Sequence, residues 1–228
     1  FQIVRLNFLM NSDILTKFTG TGLALITPFT KNLSVDYPAL EKIIQKGLAG
    51  GVEYLAVLGT TGEPVTLTKT EKLEIVAFVK KVNSGRVPLL LGLGGNNTEE
   101  ILETINETNF DGIDGILSVC PYYNKPSQEG VYRHYVALAD ACPVPVLLYN
   151  IPGRTGINMS VQTISRLSLH PNIFGVKEAS GDLTHSMEIM RHTSDDFMLI
   201  AGDDLLAIPM ISIGAKGAIA VLPNVLPE

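Results

Sequence analysis

The chain has 228 residues, 46% hydrophobic and 18% charged, which is enough apolar material for one large core and does not suit a disordered segment. A formal charge of -6 argues against a protein that tracks a phosphate backbone, so no nucleic-acid partner is expected, and any anionic ligand must meet local positive charge. Cys120 and Cys142 have neither CxxC nor zinc spacing and read as reduced thiols of a cytoplasmic protein, and no apolar run reaches the roughly 20 residues of a membrane-spanning helix.

Residues 1–17 read as an extension ahead of a single catalytic domain over 18–228. FQIVRLNFLM is broken by Arg5 and Asn7 and lacks a small-residue cleavage site, which argues against a secretory leader; Met10 is a candidate start, with 1–9 as non-native sequence. Beyond it, short apolar runs alternate with longer amphipathic ones, and Gly, Thr, Pro or Asn punctuate nearly every run. Strands are predicted at 22–27 and 53–58, the second followed by GTTGE at 59–63. A helix is predicted over 68–83, with Leu73, Val76, Ala77 and Lys80 as its apolar face. The strand at 87–91 runs into GLGGNN, which reads better as a tight turn with Asn96 or Asn97 capping the helix 97–108 than as a nucleotide loop. Strand 115–119 leads to PYYN and helix 128–141, and strand 145–149 to YNIPGRTG and helix 160–169. Strand 173–177 ends in Lys177 and is followed by helix 183–191, strand 198–201 and strand 217–221.

The strands are apolar on both faces, as parallel strands covered by helices are. Eight of them with seven intervening helices predict a (β/α)8 barrel that stops before its last helix. An open doubly wound sheet is the competing architecture, and it fits less well because it has five or six strands and a dinucleotide fingerprint.

In such a barrel the site forms at the carboxyl ends of the strands. Lys177 ends an apolar strand, where burial would lower its pKa and make the amine nucleophilic toward a carbonyl; a strand-end salt bridge with Glu178 is the competing reading. Thr60 and Thr61 suit a carboxylate, although a Gly-Thr turn that caps the next helix explains them slightly better when the segment is taken alone. Tyr149 is a phenol able to shuttle protons, and Arg154 a fork able to grip a second carboxylate. Tyr122 and Tyr123, taken alone, read as packing or interface. Asp203 and Asp204 read as caps of the next helix rather than magnesium ligands, and His134, His170, His185 and His192 as surface residues, so no metal is expected.

GTTGE, PYYN, YNIPGRTG, GVKEASGDLT, AGDD and GAKGAIAV stand in the order found in the dihydrodipicolinate synthase and N-acetylneuraminate lyase family, which the chain resembles from about Phe18 to its end. The resemblance implies a class I aldolase-type lyase that needs no external cofactor. Lys177 would form a Schiff base with pyruvate, Tyr149 carry protons, and Thr60 link Tyr149 to Tyr123 of a neighbouring subunit. Thr61 would hold the pyruvate carboxylate, with Gly202 and Ile219 lining the pocket.

Arg154 follows the Tyr-Asn-x-Pro turn, as in the synthase branch, and implies L-aspartate 4-semialdehyde as the second substrate, on the route to diaminopimelate and lysine. Another pyruvate lyase acting on a sugar acid, or a silent member that binds a 2-oxo acid, are the alternative readings. The family continues into a last barrel helix and a C-terminal helical domain, and assembles as a dimer of dimers. Asn96, Glu100 and Tyr122 match an allosteric lysine site, but Lys69 and Lys72 stand where some inhibited members have histidine, and Pro64 and Val65 also differ. Weak or absent feedback inhibition is the resulting expectation.

Overall fold

A computed structural model describes residues 13–227. The expectations for Met10 and residues 1–9 lie outside the described residues. Eight parallel strands pair in sequence order and close, β8 against β1, into a (β/α)8 barrel, which excludes the open sheet. The strands are β1 (Gly20–Ala24), β2 (Tyr54–Val57), β3 (Leu89–Gly92), β4 (Gly115–Val119), β5 (Val146–Asn150), β6 (Ile173–Glu178), β7 (Met198–Ala201) and β8 (Gly217–Ala220). Around them lie α1 (Tyr37–Ala49), α2 (Lys69–Asn83), α3 (Thr98–Glu107), α4 (Gln128–Ala141), the short α5 (Pro152–Thr155), α6 (Val161–Leu167), α7 (Leu183–His192) and α8 (Ala207–Ser212). Among the described residues no helix is long and apolar enough to cross a membrane.

The helix starts follow from capping chemistry. Thr68 and Glu71 form a reciprocal capping box at α2, and Asn97 accepts from the Glu99 N–H at 3.1 Å at α3, as the turn reading of GLGGNN requires. Ser127 and Ser160 cap α4 and α6 in the same way.

Two apolar layers result. The outer one lies between strands and helices, and the inner one fills the barrel with Phe18, Ala24, Tyr54, Ala56, Leu90, Leu117, Leu147, Phe174, Met198, Ile200 and Ile219. Phe18 closes the amino-terminal end, stacked on Phe174 at 5.2 Å and edge-on to Tyr54 at 5.3 Å. Gly22 pairs with Tyr54, and a Cβ there would fall 2.1 Å from the phenol ring, so only glycine leaves the ring its place. Between β5 and β6 the register shifts: Val146 pairs with Ile173 but Leu147 with Gly175, leaving Phe174 as an extra residue. In a regular strand Phe174 and Lys177, three apart, would face opposite sides. The extra residue lets both face inward.

Two expectations fail here. The buried face of α2 is Ile75, Val79 and Asn83, whereas Leu73 is 56% exposed and lines, with Val76, Ala77 and Lys80, an open groove between α2 and α3. Both stripes have helical spacing, and the barrel takes the one through Ile75 and Val79, with Val76 packed at its edge, which periodicity alone does not choose. Nor are the histidines all at the surface. His134 is buried with Nδ1 2.8 Å from the Thr98 hydroxyl, and burial lowers its pKa to about 4. His170 meets Asp140 at 3.1 Å, and the largely covered His185 approaches Glu178; only His192 sits substantially in solvent.

Candidate active site at the carboxyl ends of the strands

Lys177 is the next-to-last residue of β6, 6% exposed, with Nζ 4.5 Å from the centroid of the Tyr149 ring. The two residues are Cα partners across the β5–β6 ladder, so the backbone register itself brings amine and phenol together. Burial lowers the lysine pKa to about 8, with Asp204 acting in the opposite direction. Burial raises the phenol of Tyr149, and the Thr60 hydroxyl and the Arg154 guanidinium pull it down. An amine poised for nucleophilic attack therefore lies beside a phenol that keeps its proton at neutral pH.

The salt bridge between Lys177 and Glu178 is not made. As the next residue in the strand, Glu178 faces outward, where it accepts from Asn150 Nδ2 at 2.7 Å and from the Ser180 N–H at 2.6 Å. Gly202 sits against the lysine stem. Its N–H donates to the Glu178 carbonyl at 2.8 Å, and a Cβ there would lie 3.0 Å from Lys177 Cε and 2.7 Å from Ala179 Cβ. Ile219 belongs to the inner apolar layer.

Thr60 and Thr61 open a single 3-10 turn, Thr60–Gly62, whose last carbonyl accepts from Thr27 Oγ1 at 2.7 Å. Thr60 and Arg154, the latter on α5, join Tyr149, Tyr122 and Ile151 in lining a cavity of 410 Å³. The charged residues in that lining are Lys72 and Arg154, both cations, which supplies the local positive field that the acidic chain otherwise lacks. Thr61, Lys177, Tyr123, Gly202 and Ile219 are not among its lining residues.

The loop after β4 carries the tyrosines. Tyr122 is half-buried, and its carbonyl accepts from Asn96 Nδ2 at 3.1 Å, while Asn124 Nδ2 donates to the Asn96 carbonyl at 3.2 Å. These reciprocal amides pin the loop to GLGGNN. Tyr123 is held at φ 73 and is 88% exposed, standing away from the cavity of its own barrel. Asn96 and Tyr122 therefore meet, whereas Glu100 lies exposed in the first turn of α3.

Asp203 and Asp204 do not cap α8, whose N-cap is Leu206. Asp203 instead accepts from the Leu205 N–H at 2.8 Å, and Asp204 from those of Val221 at 3.0 Å and Leu222 at 2.8 Å, closing the turn after β8. Sequence reasoning passed over Asn150, whose partner Glu178 lies on the next strand, and Asn124, whose partner Asn96 lies in the loop after β3. Their only signal was an amide at the carboxyl end of an apolar strand or beside a tyrosine pair.

A sequence-family model described as the Dihydrodipicolinate synthetase family matches residues 17–228. A curated 4-hydroxy-tetrahydrodipicolinate synthase of Cytophaga hutchinsonii is 56% identical over 210 residues, covering 92% of this chain and 71% of that protein. Among solved structures, a dihydrodipicolinate synthase of Bacillus anthracis is 40% identical with a TM-score of 0.88, covering 92% of this chain and 72% of that one. The Cyanidioschyzon merolae enzyme, solved with lysine bound, is 42% identical with a TM-score of 0.87 at the same coverage.

Proposed function

The chain belongs to the dihydrodipicolinate synthetase family, and from that premise we propose that Lys177 carries in it the reaction that names its relatives, the condensation of pyruvate with L-aspartate 4-semialdehyde. The enzyme is a class I aldolase-type lyase of diaminopimelate and lysine biosynthesis. The observation that carries the residue assignment is the buried Lys177 amine, its pKa lowered to about 8, 4.5 Å from the ring of its cross-strand partner Tyr149.

The neutral amine of Lys177 attacks the pyruvate ketone, water leaves, and the protonated imine withdraws electrons until the methyl group gives up a proton. The enamine carbon attacks the aldehyde, and the amino group of the semialdehyde then displaces Lys177 as the ring closes. The lysine is regenerated, so the chemistry asks for no external cofactor and no metal. Tyr149 carries protons next to the imine, and Thr60 hands them on. Thr61 holds the pyruvate carboxylate, Arg154 the carboxylate of the semialdehyde, and Gly202 and Ile219 shape the pocket.

Tyr123 completes the relay in a neighbouring subunit. Its 88% exposure and its φ of 73 on a pinned loop support a side chain that serves a partner rather than its own barrel. The working assembly of the full-length protein is then a homo-oligomer, a dimer of dimers, in the cytoplasm, with residues 18–228 belonging to the catalytic domain. Lysine binds weakly or not at all at Asn96, Glu100 and Tyr122, because Lys69 and Lys72 add positive charge beside a cationic effector.

Trapping with pyruvate and borohydride, followed by intact mass and peptide mapping, tests the central assignment. A pyruvate-derived adduct on Lys177 is the expected result, and a folded protein without one has lost its nucleophile.

A further inference from the structure

Behind the catalytic pair lies a second pair on the same two strands. Asn150 and Glu178 are also Cα partners, one residue beyond Tyr149 and Lys177, and strand alternation turns them to the outer face of the barrel wall. Both are buried, Asn150 completely and Glu178 to 2% exposure, and Asn150 Nδ2 donates to Glu178 Oε2 at 2.7 Å.

Neither side chain can turn freely. Asn150 Nδ2 also donates to Asn158 Oδ1 at 2.6 Å, and its Oδ1 accepts from the Met159 N–H at 3.0 Å. Glu178 Oε1 accepts from the Ser180 N–H at 2.6 Å, and His185 Nε2, buried and without a hydrogen-bond partner, lies 3.7 Å from Oε2. We propose that this amide–carboxylate bond is a register clamp, which makes Asn150 and Glu178 positioning residues for the chemistry of Lys177 and Tyr149.

The need for a clamp follows from the irregularity upstream. The extra residue Phe174 interrupts an even β5–β6 ladder, so the pairing at the carboxyl end is not dictated by an unbroken run of paired residues. A slip of one residue there would turn Lys177 out of the barrel and Glu178 into it. The bond across Asn150 and Glu178 exists only in the register that sets Lys177 opposite Tyr149.

The inference rests on the assignment of Lys177 and Tyr149 above, and its test separates the two. Glu178→Gln leaves one acceptor for the two donors Asn150 Nδ2 and Ser180 N–H, and Asn150→Asp sets two carboxylates against each other. The double variant N150D/E178Q restores the bond with its polarity reversed, because the carboxylate introduced on β5 accepts from the amide introduced on β6. Each folded single variant is expected to lose about tenfold or more in kcat and in the rate of borohydride trapping with pyruvate, as small misplacements at reacting atoms do. KM for the semialdehyde stays within about twofold, since Arg154 is untouched, and the double variant recovers to within about threefold of wild type.

A merely structural bond would lower Tm and leave kcat and trapping at wild-type values in the singles, which overturns the clamp. A double variant that falls to the product of the two singles overturns it as well. If N150D does not fold, the comparison of E178Q with the double variant still decides. Absence of an adduct in the wild type run alongside refutes the Lys177 assignment itself; an adduct there with unchanged trapping in the variants removes only the clamp.

Discussion

Replacing Lys177 by methionine separates the energetic cost of the catalytic amine from its chemistry. The side chain is 6% exposed at the end of an apolar strand, and its pKa falls from 10.5 to about 8 because burial penalises the ammonium. That fall corresponds to about 3 kcal/mol against the charged form, and it raises the neutral fraction near pH 7 by about 300-fold over an ordinary lysine. The native state has the lower pKa, so below about 8 the amine is charged in both folded and unfolded chains and the cost is present in full. Between about 8 and 10.5 the native state releases its proton first and stability rises with pH; above 10.5 the cost is gone. Lys177→Met is therefore expected to be inactive and, near pH 7, more stable by up to about 3 kcal/mol, with the advantage vanishing as pH passes 10.5. Urea unfolding of both proteins across this range measures it, and the initial rate of imine trapping in the wild type rises through about pH 8. Parallel stability curves for the two proteins over that window would refute the claim that burial sets this pKa.

Arg154→Ala is expected to lower kcat/KM for the semialdehyde by on the order of 100-fold while pyruvate trapping on Lys177 continues, and steady-state kinetics beside trapping checks both; an unchanged kcat/KM would favour a lyase acting on a sugar acid. Gly202→Ala puts a methyl group 3.0 Å from Lys177 Cε and 2.7 Å from Ala179 Cβ, and overpacking of this kind costs about 1–3 kcal/mol. A lowered Tm together with slower trapping is the expected outcome. His134, lowered from 6.5 to about 4 by burial, contributes stability that is complete above 6.5 and is lost as pH falls through that window, about 3 kcal/mol in all. His134→Leu should flatten the acid limb of the urea-midpoint curve, whatever it does to the midpoint at neutral pH.

The barrel was legible because punctuation marks strand ends. β4 and β7 have the predicted bounds, and the remaining strands shift by one to three residues at an end. Direction within a strand was much less legible. Ile173, Phe174, Gly175 and Val176 offer no polar residue to mark a face, so nothing in them reveals that Phe174 is an extra residue or which way the strand turns after it. The same limit explains α2, where two stripes of equal period compete, and the histidines, whose burial depends on which helix lies next to them. Lys177 stood out because a lone amine at the end of an apolar strand demands an explanation. Asn150 and Glu178 did not, since each made local sense inside its own motif and only the β5–β6 register brings them together.

The barrel wall therefore has two chemically distinct faces at one level. Inward, Lys177 and Tyr149 are kept short of strong partners, which leaves an amine whose pKa burial lowers to about 8 and a phenol that keeps its proton. Outward, Asn150 and Glu178 are supplied with donors and acceptors from Asn158, Met159 and Ser180. Because consecutive residues of one strand share a backbone, the well-satisfied outer pair can hold in place an inner pair that gains little from being where it is. Reactivity inside and anchorage outside are in this sense one arrangement, and a change that stabilises the inner pair by giving Lys177 a close anion would raise its pKa and remove the neutral amine that the reaction needs.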